Sequence, residues 1–208
     1  MTYIHEYLKH YDHPRILDLG AGTGAYSVPL SEEGYDVTSV ELVKEHCMAI
    51  ASKTKKVKVY QHDARDLSFL KDSYDVILIF GPMYHVHSLD DKIKIIEEAK
   101  KHLNQDGTLF ISYYMMDYGV MAYGVLKGHL KEAQEDGSLD QNYMIKTTDK
   151  DLFSFDNLRS INHYNRICGL KREKIFASDG LTDYFRTPIN KLSEEDYQLN
   201  LYYQLNTA

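Results

Sequence analysis

Apolar residues in this chain gather in short runs rich in β-branched side chains, separated by segments of helical spacing. The runs are Arg15–Leu19, Asp36–Glu41, Val57–Tyr60, Tyr74–Phe80 and Thr108–Tyr114. Between them, Tyr26–Glu33, Val43–Lys53 and Asp90–Leu103 carry the periodicity of a helix with one buried face. Val76-Ile77-Leu78-Ile79-Phe80 has no polar alternation, which suits a strand covered on both faces in a parallel sheet. Strands alternating with helices predict an α/β fold, doubly wound and mainly parallel, with helices on both faces. Asp106-Gly107, following Leu103-Asn104, reads as a helix stop and a turn into the fifth strand.

After Tyr114 the rhythm breaks. One amphipathic helix is expected at about Val120–Glu135, followed by the polar stretch Glu135-Asp136-Gly137-Ser138. A second is expected near Asn157–Cys168, with Gly169 as its stop, and Lys171–Ala177 reads as a sixth strand. The irregular block at 115–156 is expected to form a lid or cap insertion after the fifth strand, within a single domain spanning 1–208. Ser193-Glu194-Glu195-Asp196 opens a terminal helix running through Leu205, with Ser193 and Asp196 placed as a cap.

A chain of 208 residues buries a core large enough to need no staples. Cys47 and Cys168 are too few for a disulfide framework or a zinc cluster, so a reducing, cytoplasmic setting is expected. No apolar run approaches the roughly 20 residues of a membrane span, and the first residues carry neither a basic leader nor an apolar signal core. Lys and Arg number 24 against 31 Asp and Glu, a net charge of −7, which repels phosphate backbones and argues against nucleic acid as a partner. The 18 tyrosines offer apolar area with a polar handle, which suits a pocket as well as a core. No Cys/His spacing suggests a metal.

The most informative stretch is Ile16-Leu17-Asp18-Leu19-Gly20-Ala21-Gly22-Thr23-Gly24-Ala25-Tyr26, a strand, a glycine turn and a helix start. Glycines at 20, 22 and 24 permit a sharp turn and a close ligand approach to main-chain N–H groups. The turn also fits the dinucleotide pattern, with Gly20, Gly22 and Ala25. Asp18 changes that balance, because a carboxylate there opposes a pyrophosphate and favours a ligand bearing an ammonium or sulfonium. Glu41, 17 residues after Gly24, suits both hydroxyls of a ribose in either kind of ligand. Asp63, just beyond the third strand, is placed to receive an adenine amino group. These residues, at the carboxyl ends of successive parallel strands, are expected to share one crevice.

The stretch resembles the first motif of class I S-adenosylmethionine-dependent methyltransferases, and Val37-Thr38-Ser39-Val40-Glu41-Leu42 resembles the second. His62-Asp63-Ala64-Arg65-Asp66-Leu67 and Tyr74-Asp75-Val76-Ile77-Leu78-Ile79-Phe80 are similar to the third and fourth elements. Leu103-Asn104-Gln105-Asp106-Gly107-Thr108-Leu109 is similar to the turn before the fifth strand, with Gln105-Asp106 in place of Pro-Gly. The resemblance implies a Rossmann-like sheet and S-adenosyl-L-methionine as cofactor. It implies that Gly20, Gly22 and Gly24 approach the methionine part, that Glu41 with Leu42 lies at the ribose, and that Asp63 and Ala64 hold adenine. Phe80-Gly81 then lies beside the reacting end. The family usually adds a seventh, antiparallel strand. None is legible here, so six strands are expected unless Asp179–Thr187 supplies one, and the sheet edge left exposed either invites a dimer contact or is covered by another segment.

A sulfonium cofactor brings its own leaving group, so the protein mainly aligns the acceptor and, for some acceptors, removes a proton. Gly81-Pro82 turns the chain at the end of the fourth strand and sends Tyr84 and His85 into the crevice, a G-P-x-Y-H segment similar to that of many small-molecule members of the class. His85 is the first candidate for a base or acceptor-orienting group, against a structural role tying this loop to a neighbouring backbone. Tyr84 shapes the pocket, and His87 is expected at the surface. Tyr113, Tyr114, Met115, Met116, Tyr118 and Tyr123 either wall the acceptor pocket or pack lid against sheet. The leading function is methyl transfer to a small-molecule acceptor by a monomer or homodimer. The alternatives are a methyltransferase for protein or RNA, and a cofactor-binding protein without catalysis.

Overall fold

Leu17, Leu19, Ile77 and Ile79 are fully buried, which marks β1 (Arg15–Leu19) and β4 (Tyr74–Ile79) as the central pair of the sheet. The computed structural model describes residues 1–177 and 186–199. The chain divides into two compact units, Met1–Cys168 and Gly169–Ala208. In the first, β2 (Asp36–Glu41) and β3 (Lys58–Gln61) extend the sheet from β1, and β5 (Leu103–Ile111) extends it from β4. The order is β3-β2-β1-β4-β5, with every pairing parallel.

That order places the crevice. From β1 the chain steps outward through β2 to β3, then returns to β4 and steps the other way to β5. Parallel crossovers are right-handed, so α2 (Ser27–Glu32) and α3 (Lys44–Lys53) fall on one face and α4 (Leu89–Lys101) on the other. One face gathers Ile16, Val37, Val76, Leu78 and Phe110 against Leu30 of α2, Ile50 of α3, and Ile4 and Leu8 of α1 (Thr2–Leu8). Helix α4 contributes Ile95, Ile96 and Ala99 to the core. It starts well: Ser88 accepts from the Asp91 N–H at 3.0 Å, with Asp90 and Asp91 in its first turn and Lys100 and Lys101 in its last. The direction of travel reverses between β1 and β4, and ligands of such sheets lie outside the strand carboxyl ends at that point.

The central strands lie within a residue of their expected bounds, and Gly169 (φ 63°) follows α7 (Leu158–Ile167) as its stop. Several expectations need correction. The Asn104–Gly107 turn does not precede β5 but lies inside it, absorbed as a register shift against Tyr74 and Val76, with Asp106 at φ 62°. Tyr11 holds this bulge, its hydroxyl 2.9 Å from both the Asp106 carbonyl and Thr108 Oγ1. β5 ends at Ile111 rather than Tyr114. The single helix expected at Val120–Glu135 is instead α5 (Met116–Gly119), a π-helical segment (Val120–Val125) and α6 (Leu130–Glu135), interrupted at Gly128 with φ 76°. Helix α1 was not anticipated.

In the second unit, Lys171–Ala177 forms no strand, so the sheet has five strands among the described residues instead of the expected six. The reason is compositional: Lys171-Arg172-Glu173-Lys174 is a charged run, followed by adjacent Ile175 and Phe176, and no face alternates. A short helix, α8, spans Arg186–Ile189. Beyond it residues 194–199 are helical, and Ser193 accepts from the Asp196 N–H at 3.1 Å, as a cap should. The expected run on to Leu205, and most of Asp179–Thr187, lie outside the described residues.

Candidate active site

Asp18 sits one residue from the end of β1, only 1% exposed, and accepts from Ser27 Oγ at 2.6 Å. Burial is the main influence on its acidity and pushes the carboxyl up to about 6, against the pull of the Ser27 bonds; the nearby Glu41 charge raises it further. Glu41 closes β2 and is pinned at both oxygens. The Gly22 N–H donates to Oε2 at 2.7 Å and the Val43 N–H to Oε1 at 2.9 Å. A carboxylate has about four lone-pair sites, so each oxygen keeps acceptor capacity.

The three glycines divide the work. All have positive φ, at 67°, 54° and 86° for Gly20, Gly22 and Gly24. Their N–H groups are all used within the protein, by the Val40 carbonyl, Glu41 and the Ala21 carbonyl respectively. They therefore serve the loop's shape more than they offer donors to a ligand. A Cβ on Gly20 would lie 2.5 Å from Pro82 Cδ, and one on Gly24 2.7 Å from Val28 Cγ2, whereas one on Gly22 would meet nothing within 4 Å. Gly22 alone faces open space. Gly20 and Gly81 fit against each other, since a Cβ on Gly81 would stand 2.7 Å from the Gly20 carbonyl oxygen. That contact joins the loops after β1 and β4 at the switch point.

Asp63 follows β3 and is paired with Arg65, whose guanidinium also reaches Asp91 at the start of α4 at 3.2 Å. The Arg65 bonds hold the Asp63 carboxyl below the usual range. Leu42 is exposed and Ala64 half-buried. Phe80 is half-buried and meets the Tyr26 ring edge-on, with centroids 4.7 Å apart.

On the β4 side, Pro82–Tyr84 form a 3-10 turn. His85 is exposed, with Nδ1 3.0 Å from the Leu152 carbonyl. A carbonyl only accepts, so Nδ1 carries the proton and Nε2 is the basic nitrogen. His87 is not a bare surface residue as expected. Its Nε2 donates to the Asp151 carbonyl at 3.1 Å and its Nδ1 takes the Thr147 hydroxyl at 3.0 Å. Tyr84 stacks on Tyr114 at 4.3 Å and 10°, and Phe153 leans on both rings. Burial and the neighbouring Tyr114 raise the Tyr84 phenol above its ordinary value, so it stays protonated at neutral pH and does not act as a base there.

Sequence reading missed Ser27, Phe153, Ser154 and the buried trio Lys92, Asp156 and Tyr164. Ser27, in the first turn after a glycine loop, was the only one with a local signal. Away from this crevice, a groove of about 570 Å³ lined by Leu8, Tyr11, Pro14 and Tyr35 lies at the amino ends of β1 and β2, and none of the site residues borders it. No cluster of metal-ligating residues occurs among the described residues.

The fold is an α/β sheet whose topological switch point carries two carboxylates, Asp18 and Glu41. Residues 2–174 match a family described as a methyltransferase domain, and the chain belongs to that family. The glycine/sarcosine N-methyltransferase of Aphanothece halophytica is 30% identical over 110 residues, 50% of this chain and 42% of that protein. The ubiquinone biosynthesis O-methyltransferase of Rickettsia akari (strain Hartford) is 25% identical over 124 residues, 58% of this chain and 48% of that protein. The chain thus spans less than half the length of these relatives. A SAM-dependent methyltransferase structure from Methanosarcina mazei shares the fold, with a TM-score of 0.63 and 19% identity over 81% of this chain and 84% of that one. No helix among the described residues is long and apolar enough to cross a membrane.

Proposed function

We propose that this chain binds S-adenosyl-L-methionine in the crevice and transfers its methyl group to a small-molecule acceptor. The observation that carries the reading is the acid lining at the switch point. Asp18 is buried and favours a cationic group, and Glu41 is fixed by two backbone N–H groups with acceptor capacity left for a diol. The open space over Gly22 gives room for a ligand against the loop. A pyrophosphate at this turn would face two carboxylates, Asp18 and Glu41, while Lys53, the cation at the loop, is held on the Thr23 carbonyl at 2.6 Å, which disfavours a dinucleotide.

When bound, the cofactor supplies both the methyl group and its leaving group. The chain's own part is binding, alignment and proton handling. Asp18 takes the ammonium side, Glu41 with Leu42 the ribose, and Asp63 with Ala64 the adenine. Gly20, Gly24 and Gly81 hold the loops, and Phe80 beside Tyr26 excludes water next to the reacting end. His85 removes or steers the acceptor proton through Nε2, and Tyr84 shapes the pocket beneath the lid of residues 115–156. The two relatives named above act, by their names, on glycine or sarcosine and in ubiquinone synthesis, which supports a small acceptor. Free thiols at Cys47 and Cys168 support a reducing, cytoplasmic setting.

The test is calorimetry with S-adenosylmethionine and with NAD, then transfer of labelled methyl into cell extract split into small-molecule, protein and RNA fractions. Label in the small-molecule fraction is expected. Binding of NAD but not of S-adenosylmethionine would overturn the reading.

A further inference from the structure

The segment Leu152–Asp156, where the 115–156 block returns to the sheet, alternates its two sides along the chain. Even-numbered residues make hydrogen bonds. The Leu152 carbonyl takes His85 Nδ1, the Ser154 N–H donates to the Tyr84 carbonyl at 2.8 Å, and Ser154 Oγ donates to the Val86 carbonyl at 2.8 Å. The Asp156 N–H donates to the Tyr114 carbonyl at 2.8 Å, and its carbonyl accepts from the Met116 N–H at 2.7 Å. Odd-numbered residues supply rings: Phe153 lies 4.9 Å from Tyr114 and 5.3 Å from His85, and Phe155 lies 6.3 Å from Tyr114. This is the period of an extended strand. The segment therefore ties the loop after β4 to the extension of β5.

Its anchor is Asp156, 2% exposed. Lys92 Nζ of α4 donates to Oδ2 at 2.5 Å, and the Tyr164 hydroxyl of α7 donates to Oδ1 at 2.5 Å. Lys92 is itself 2% exposed and stands 5.9 Å from the Tyr164 ring centre. Taking an ion pair out of water rarely gains stability over well-packed apolar residues of the same volume. What it fixes is direction: each carboxylate oxygen has a definite donor on a different helix.

We propose that Asp156 is a positioning residue for the acceptor side of the crevice. Through Lys92 and Tyr164 it holds segment 152–156, and with it the Tyr84–Tyr114–Phe153 wall and the His85 ring, in register with the cofactor loops. The proposal rests on the reading of the crevice as a methyl-transfer site.

The experiment compares Asp156→Asn and Tyr164→Phe with the unsubstituted chain by amide hydrogen exchange, by calorimetry with S-adenosylhomocysteine, and by label transfer into the small-molecule extract fraction. In Asp156→Asn the amides of Met116, Ser154 and Asp156 should exchange at least tenfold faster, while those of Leu17 and Ile77 keep their rates. Affinity for S-adenosylhomocysteine should stay within threefold, and the extract concentration giving half-maximal transfer should rise at least tenfold. Tyr164→Phe removes one hydroxyl, so it should shift the same readouts less and carries the test if Asp156→Asn does not fold. Uniformly faster exchange across the sheet, or unchanged rates at Met116, Ser154 and Asp156, would overturn the proposal. The two failures separate: no binding of S-adenosylhomocysteine by the unsubstituted chain removes the functional reading, and loss of the site-specific exchange pattern removes the anchor.

Discussion

Replacing Asp18 by asparagine should make the protein's stability less sensitive to pH while weakening its hold on a cationic ligand. The Asp18 carboxyl is fully enclosed and its pKa lies at about 6, where an unfolded chain holds an aspartate near about 3.9. A folded-state pKa raised above the unfolded one means that the folded state binds the proton more tightly. The contribution to stability is therefore fully present below pH about 4, is lost as pH rises through about 6, and stays lost above that. Two pKa units correspond to about 3 kcal/mol. In a chain of this length that is roughly 6–12 °C in Tm. Asp18→Asn keeps an oxygen for the Ser27 hydroxyl and removes the titration. Any fixed cost of the amide shifts its curve without tilting it, so the slope is the reading. Thermal unfolding of both proteins from pH 4.5 to 8 should show the variant gaining relative to wild type as pH rises, by about 2 kcal/mol across this range, since the remainder lies below pH 4.5. Binding should run the other way. Affinity for S-adenosylhomocysteine, whose amino group is cationic, should rise with pH through about 6 in wild type and then level off. In the variant it should be at least tenfold weaker at pH 7.5 and flat in that region. Parallel stability curves would refute the assignment of Asp18 as a desolvated charge, and equal affinities would refute its role toward the ligand.

Glu41→Gln must turn its NH₂ toward the N–H of either Gly22 or Val43. A buried donor left unpaired costs about 1–3 kcal/mol, so calorimetry should show at least tenfold weaker S-adenosylmethionine binding, and scanning a Tm drop of about 2–12 °C. Gly22→Ala points its methyl into open space at φ 54° and should weaken binding at least tenfold with a strain of only about 1–2 kcal/mol. Gly81→Ala instead drives its methyl at the Gly20 carbonyl, so its larger effect should be on Tm. For His85→Ala, turnover should fall about 10²–10⁴-fold with S-adenosylmethionine affinity within threefold, and Tyr84→Phe should cost less. A mild His85→Ala effect, with a rate insensitive to pH between about 5.5 and 8, would leave His85 only as the tie to Leu152.

The half of the crevice assigned above to the cofactor was legible because its logic is local. Asp18, Gly22 and Glu41 lie within one strand–turn–helix–strand unit, and the bonds that fix Glu41 come from Gly22 and Val43. The acceptor half was not. Lys92 falls in Leu89-Asp90-Asp91-Lys92-Ile93-Lys94, where a lysine in a charged amphipathic pattern reads as a solvent-facing residue. Only its partner Asp156, distant in sequence, explains its burial. Segment 152–156 does alternate, Phe153-Ser154-Phe155-Asp156, but the run is too short to stand out, and its ladder partners are two loops, not a neighbouring strand. The β5 bulge was hidden for a related reason: Asp106-Gly107 is sound turn chemistry, and only the Tyr11 and Tyr74 contacts show that the turn is held inside the ladder.

This division has a consequence for how specificity is arranged in the molecule. The groups assigned to the cofactor are set by backbone bonds close in sequence, none of which comes from the 115–156 block. The groups assigned to the acceptor are set by long-range bonds that meet in five residues, Leu152 to Asp156. The two halves touch where Gly20 lies against Gly81 and Pro82, with no room for a side chain on either glycine. A displaced β4 loop therefore presses on the turn that carries Gly22. Exchanging residues 118–150 alone, with segment 152–156 and Lys92 kept, should alter the acceptor accepted while leaving cofactor affinity within a few fold. Exchanging the whole of 115–156 without a matching partner for Lys92 strands a buried ammonium and should disturb both halves, because the register of the β4 loop is then lost at Tyr84 and carried through Gly81 to Gly20.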